Sequence, residues 1–387
     1  REGELHLGRQ NLADLVKSAG TPTLVYDATR IAKNLERIHT ALDNHEVDHE
    51  VFFALKANRY LPLVTFLKLN GRCGLDVCSP NEMRLGRQLG FREEQLVYTS
   101  TSVSREDIEW LARHPRVHVN VDSLSSLRRL ATRCPGRTIG LRINPQMGVA
   151  YHDHLTYSGD KTTKFGIYED RFVEALALAS ELHAPINTLH FHTGSGYMTP
   201  DLAQFDQVLF RVHQFVGQCP SVNTLDIGGG LGVPMGPADE GLDLDQWATV
   251  VARHAREMGV KIQVEPGDYL LKDAGVLLVE VNTVEEKRGA LFVGVNAGFN
   301  MLNSYAYYDM PYAFAPLQHD SSAPVVPVSI VGNINEAIDV FGEEIEMHRP
   351  VEGDYLAIVN AGGYGSSMSS NHCMRGEFSE YILFPDS

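Results

Sequence analysis

The sequence predicts an α/β chain made of a (β/α)8 barrel and a C-terminal β-rich domain. Between about residue 23 and residue 270, short apolar strands alternate with amphipathic helical stretches. Eight strand candidates fall in that span, the number a closed parallel barrel needs. Beyond about residue 272 the helical periodicity stops and strand-forming segments take over. With 387 residues there is chain enough for both parts.

Taken in order, Thr21–Tyr26 reads as a strand before the barrel that joins the second sheet. The barrel strands are expected at Val51–Leu55, Gly74–Val77, Leu96–Tyr98, Val117–Val121, Gly140–Ile143, Ile186–His190, Thr224–Ile227 and Lys261–Val264. Between them, Asp27–Leu42, Pro80–Leu89, Glu169–Leu182 and Leu244–Glu257 carry helical patterns. Met235–Gly241 is polar and reads as a surface excursion. Gly275–Val284, Leu291–Val295, Pro324–Val331 and Tyr355–Val359 are the later strands. The expected division is a barrel over 28–272 and a β-rich domain built from 1–27 and 273–387.

A formal net charge of -16 argues against nucleic acid and against anionic membrane surfaces as partners. Cys73, Cys78, Cys134, Cys219 and Cys373 form neither a CxxC pair nor a zinc-ligand pattern, so reduced thiols in a cytoplasmic protein are expected. No apolar run approaches a membrane span, and Arg1-Glu2-Gly3-Glu4 does not read as a secretory signal.

Chemistry concentrates where strands end. Lys56, in Ala54-Leu55-Lys56-Ala57-Asn58, closes the apolar run Val51–Leu55. An amine there is costly unless paired, solvated or covalently used, and a Schiff base to a carbonyl cofactor is the use that fits. The glycines of Asp226-Ile227-Gly228-Gly229-Gly230-Leu231-Gly232 allow backbone N–H groups to converge on a phosphate; a tight turn is the plainer reading. Their spacing is not GxGxxG, and late barrel loops favour phosphate. Glu265, in Glu265-Pro266-Gly267, leaves the same rim as Lys56 and suits a pyridine nitrogen, although alone it reads as a surface acid before a turn. In His190-Phe191-His192-Thr193-Gly194-Ser195 both histidines share a strand face. No third ligand lies near them in sequence, so no metal is expected; a ring stacked on an aromatic cofactor, with Ser195 on its phosphate, is preferred. Tyr364, in Asn360-Ala361-Gly362-Gly363-Tyr364-Gly365, offers a hydroxyl beside glycines that permit close approach.

Together these segments resemble the fold-type III pyridoxal-phosphate decarboxylases, and among them the diaminopimelate decarboxylases. The resemblance is nearly full length and rests on Ala54–Asn58, Gly74–Glu82, Arg142–Pro145, Lys164-Phe165-Gly166, His190–Ser195, Asp226–Gly232, Glu265–Gly267 and Gly363–Gly365, all in family order. It implies an alanine-racemase-like barrel, pyridoxal 5'-phosphate as cofactor, and an amino-acid substrate. It implies further that Lys56 holds the cofactor covalently, Glu265 pairs with its pyridine nitrogen and His192 stacks on the ring. Ser195, Gly228, Gly229, Gly230 and Tyr364 would bind phosphate, with Asp76 and Arg142 on the ring side. Family members are homodimers with shared active sites, and that assembly is expected here.

The departures from the family pattern bear on the substrate. Two arginines that hold a distal carboxylate in diaminopimelate decarboxylases are replaced by Asp268 and Ser304. An anion and a neutral group there would repel such a carboxylate. Glu336 matches the acid that meets the distal amino group, and with Asp268, Asp309 and the neighbouring Tyr308 it suggests a pocket for a cationic side chain; Asp268 paired to a nearby Lys or Arg would instead read as neutral. Asn335 stands where family decarboxylases place a protonating cysteine, and an amide is no practical general acid. Lys56, a water, Tyr364 or His372 remain as proton donors. The expected function is decarboxylation of an amino acid with a cationic distal group, not meso-diaminopimelate. A racemase, a decarboxylation-coupled transaminase, and diaminopimelate decarboxylase proper are the alternatives on the same scaffold.

Overall fold

The computed structural model describes residues 4–159, 161–236, 238–318 and 322–385; Arg1–Gly3 and Pro237 of the expected Met235–Gly241 excursion lie outside them. Eight parallel strands close into a barrel. They are His49–Ala54, Gly74–Val77, Leu96–Thr99, His118–Val121, Ile139–Arg142, Ile186–His190, Thr224–Asp226 and Lys261–Val264. The last strand pairs with the first through Ile262↔His49 and Val264↔Val51, which removes every free edge. Each expected barrel strand is present, with ends shifted by a residue or two. The shift that matters is at Leu55: it leaves the strand and opens a 3-10 turn, Leu55–Ala57. Lys56 therefore sits on a turn just past the strand end.

The barrel helices form where the periodicity places them, because each has an apolar face and a defined start. Ala28–Asn44 begins at Asp27, whose carboxylate accepts from the Thr29 and Arg30 N–H groups. Leu244–Met258 begins at Asp243 in the same way and ends at Gly259, in the left-handed conformation at φ 67. It buries Trp247 completely, among the largest side chains of the main core.

The second sheet grows from the long strand Gly275–Lys287, which pairs with Thr23–Asp27, Ala290–Val295 and Tyr355–Val359. The pre-barrel strand thus joins that sheet as expected. Three strands of this sheet were not foreseen, nor was the short antiparallel pair His6–Leu7 and Gln10–Asn11. Phe314–Pro316 and Val340–His348 lie at the two ends of the sheet, where a proline and the charged Glu343 and Glu344 are tolerated. Ser379–Leu383 adds parallel to Thr23–Asp27. No helix among the described residues is long and apolar enough to cross a membrane.

The two parts meet over the active rim of the barrel. The Ala57 carbonyl accepts from the Tyr364 N–H at 2.8 Å and from the Ser367 hydroxyl at 3.1 Å. Asn58, buried, donates to the Gly362 carbonyl at 3.1 Å. These bonds hold Tyr364 against the turn that carries Lys56.

Trp247→Ala should cost about 3–5 kcal/mol, because it leaves a cavity in a close-packed wall. A thermal unfolding scan showing no loss would contradict that packing.

Candidate active site

All eight strands run the same way, so their C-terminal ends form one rim and the residues that follow them converge. The rim encloses a cavity of about 210 Å³ lined by Lys56, Arg142, His192, Ser195, Gly229, Gly230, Glu265, Asp268 and Tyr364, among others. A second cavity of about 380 Å³ adjoins it, sharing Lys56, Tyr157, Ser195, Asp268 and Tyr364 and adding Arg59, Glu82, Lys272, Ser304 and Tyr308.

Lys56 Nζ lies 2.7 Å from Asp76 Oδ2 and 3.8 Å from Cys78 Sγ. Burial opposes the ammonium charge, but Asp76, with Cys78, Tyr364 and Glu265 behind it, outweighs burial and raises the lysine above its ordinary value. Asp76 is fully buried; desolvation and the nearby Glu265 push its carboxyl up to about 7, with Lys56 pulling the other way. The direction that decides the pair is the lysine's, because one ammonium faces several buried acids.

Across the barrel, Glu265 Oε2 lies 3.2 Å from His190 Nε2. Asp226 is fully buried beside them, and one ligand atom from each of the three lies within 4.8 Å of the others. Burial works against the Glu265 charge, yet His190, Lys56 and a hydrogen bond from Asp226 hold it at about 2. Burial and Glu265 push Asp226 well above its ordinary value. Asp226 thus carries the proton and Glu265 the charge. Glu265 Oε1 and the Nδ1 atoms of His190 and His192 are buried with no partner.

His192 is held near Tyr157, with ring centroids 4.7 Å apart. Burial, then Lys56 and Arg142, lower its imidazole to about 3, so it stays neutral at physiological pH. The Arg142 guanidinium sits over the Phe165 ring at 4.5 Å. Gly228 and Gly230 have φ of 66 and 95. A Cβ on Gly229 or Gly230 would collide with the Glu265 or Gly194 carbonyl oxygen, so the loop is obliged to be bare. The N–H groups of Gly229 and Gly230 find no acceptor among the described residues. Burial raises the Tyr364 phenol, which keeps its proton and remains a donor.

This donor set fits pyridoxal phosphate: an amine, a bare N–H cradle for phosphate, a flat neutral imidazole, and an anionic carboxylate with an orphaned oxygen. Of the residues expected from sequence, Asp76 lies directly behind Lys56, and Gly228 braces the cradle by donating to Asp226 Oδ1 at 2.9 Å. Ser304 and Tyr308 line the second cavity. Asp309, Asn335 and Glu336 line neither cavity of their own chain and are exposed; Glu336 instead pairs with His372 at 3.0 Å.

Sequence reasoning missed Cys78, Arg59, Glu82 and Lys272. Cys78 had a usable signal, lying two residues beyond Asp76 at the same strand end. Lys272 had another: it follows Asp268 at i+4, and the two pair at 2.8 Å with Lys272 almost fully buried. Asp268 is therefore half of an ion pair rather than a free anion, the outcome in which it pairs with a nearby cation, and only its Oδ1 is left without a partner.

Desolvation, with Asp76, Glu82 and Glu265 adding to it, pushes the Cys78 thiol up to about 12 despite Lys56. A thiolate is the reactive form, so alkylation of Cys78 should be negligible at neutral pH and rise only as pH approaches about 12. Peptide mapping after iodoacetamide treatment checks this, and rapid labelling of Cys78 at pH 7 would contradict it.

Residues 28–272 match the family model described as pyridoxal-dependent decarboxylase, pyridoxal binding domain. A diaminopimelate decarboxylase of Methanothermobacter thermautotrophicus is 33% identical over 395 residues, covering 99% of this chain and 91% of the relative. One of Escherichia coli K12 is 30% identical, covering 98% of this chain and 92% of the relative. The crystal structure of diaminopimelate decarboxylase from M. jannaschii in complex with L-lysine superposes with a TM-score of 0.91 at 25% identity, covering 99% of this chain and 92% of that one. The match spans the barrel that holds the converging amine, carboxylate and glycine loop, and the protein belongs to the pyridoxal-dependent decarboxylases.

Proposed function

We propose that the enzyme decarboxylates an amino acid, or an intermediate derived from one, that carries a cationic hydrogen-bond donor at its distal end, and that meso-diaminopimelate is a poor substrate. The observation that carries this reading is Asp268. It borders both cavities, its Oδ2 is bonded to Lys272, and its Oδ1 is buried without a partner. A substrate ammonium or N–H would satisfy that oxygen, whereas a carboxylate would face it unfavourably. Ser304 contributes a hydroxyl to the same wall and no charge.

In this reading residues 28–272 form the cofactor-binding part, and 1–27 with 273–387 supply Tyr364 and the subunit interface. Pyridoxal phosphate, when bound, supplies the electron sink for the departing carboxylate's electrons. Lys56 would attach it, with Asp76 orienting the amine. Glu265, kept anionic, would pair with the pyridine nitrogen, neutral His192 would stack on the ring, and Arg142 would help fix the ring side of the site. Gly228, Gly229, Gly230, Ser195 and Tyr364 would hold the phosphate. Asn335 cannot deliver a proton; Lys56 can, and the Cys78 thiol, which keeps its proton, stands 3.8 Å from it. The relatives' names support an amino-acid substrate.

A homodimer with shared sites accounts for the exposed Asn335 and Glu336. The same loop exposes Ile338, and the segment of His372 exposes Met374, an apolar surface suited to a second copy. Glu336 would then reach the partner's cavity. One observation favours a different substrate. Arg59 lines the second cavity and has no ion pair among the described residues, which suits a substrate carboxylate and keeps diaminopimelate as the second reading.

The test is product mass spectrometry in heavy water with D- and L-lysine, D- and L-ornithine and meso-diaminopimelate. A singly deuterated amine from a cationic substrate is expected, with diaminopimelate turned over at least about tenfold less efficiently; equal turnover would overturn the preference. Asp268→Asn alone would strand the buried Lys272, so the informative variant adds Lys272→Met and should lose the cationic preference. Shared sites predict complementation. Mixing inactive Lys56→Ala with impaired Glu336→Ala should restore up to about a quarter of wild-type activity, and no recovery would argue for self-contained subunits.

A further inference from the structure

We propose that His213, His254 and Glu257 form a divalent-metal site of the zinc class, separate from the active site, that bridges two barrel helices. His213 belongs to the helix Leu202–Gln218, and His254 and Glu257 to Leu244–Met258. His213 Nε2 lies 2.8 Å from His254 Nδ1 and 3.7 Å from Glu257 Oε2, and His254 Nδ1 lies 4.0 Å from that same oxygen. Three atoms so spaced lie on a circle of radius about 2.1 Å, the distance zinc keeps from imidazole nitrogen and carboxylate oxygen. One ion at its centre would touch all three.

The far side of His254 is arranged for the same purpose. Its ring is almost fully buried, and its Nε2 lies 2.6 Å from Asp206 Oδ1. A carboxylate there accepts a hydrogen bond from Nε2–H, which keeps the proton on Nε2 and leaves Nδ1 bare, the tautomer a metal requires. Arg253 also reaches this group: Nη2 lies 3.2 Å from His254 Nε2 and pairs with Asp206. Half-exposed, it offsets the Asp206 charge without entering the space between the ligands. Without metal, His213 donates a single proton across the 2.8 Å gap to His254. A metal ion replaces that proton, and the His213 proton moves to its other nitrogen. Two imidazoles and one carboxylate favour zinc over magnesium or calcium, which prefer oxygen. Glu257 and His213 remain partly open to solvent, leaving room for water as a fourth ligand.

Both histidines lie in the later halves of helices that run back along the barrel, towards the end opposite the catalytic rim. None of the four residues lines either active cavity. The site would therefore staple the helices that follow the sixth and seventh strands, and act on stability rather than turnover.

The experiment titrates zinc into cofactor-loaded enzyme stripped with EDTA, in competition with a chromophoric chelator, and follows thermal unfolding. One equivalent per chain is expected, with a rise of roughly 5 °C at saturating zinc. His213→Asn and Glu257→Gln, both at accessible positions, should lose that equivalent while keeping wild-type activity. Asp206→Asn should weaken binding about 10–100-fold. If stripped wild type takes up no zinc, or if His213→Asn binds as much as wild type, the proposal fails and the two histidines are only a hydrogen-bonded clip.

Discussion

Three carboxylates and one lysine share the inside of a single barrel rim, and much else in the structure answers to that crowding. Asp76 and Asp226 are wholly buried and Glu265 nearly so. Three buried anions so close to one another are not sustainable without compensation. The compensation is divided: Lys56 takes Asp76, His190 and a proton on Asp226 take Glu265. The result is an anion of defined position facing an amine of defined position. That is the electrostatic frame a pyridine ring with an aldehyde needs, and it exists in the chain's own side chains.

The frame also explains which residues are neutral. His192 sits in the same field, and burial together with Lys56 and Arg142 strips its charge. A neutral flat ring can lie against an aromatic cofactor without competing for Glu265. Tyr364 and Cys78 are kept protonated by burial for the same reason, so the cavity holds donors as well as charges. At the far wall the Asp268–Lys272 pair repeats the principle on a smaller scale. A half-buried acid is accompanied by a buried cation, with one oxygen left for something else.

The barrel was legible because its signal is repetitive: eight apolar strands spaced by amphipathic helices have few other folds available. Lys56, Glu265 and the glycines of Asp226–Gly232 were legible because each stands immediately after a strand, where parallel topology guarantees convergence. Strands such as Val340–His348 were not, since an edge strand can carry glutamates and its alternation is weak. Cys78, Arg59 and Glu82 escaped because a thiol, a cation or an acid in a loop has no pattern until the cavity wall is built.

Sequence by itself determined the fold class, the rim and the identity of the groups on it, because these follow from periodicity and from the direction of parallel strands. Tertiary structure decided the electrostatic state of those groups. Asp268 looks like a free anion in sequence and is half of an ion pair in space. Asn335, Glu336 and Asp309 look like pocket residues, yet they are exposed and line neither cavity of their own chain. His213 and His254 belong to separate helices and meet at 2.8 Å only when those helices pack side by side. The physical reason is common to all three: charge and ligation depend on distance, and distance between separate elements is fixed only by packing.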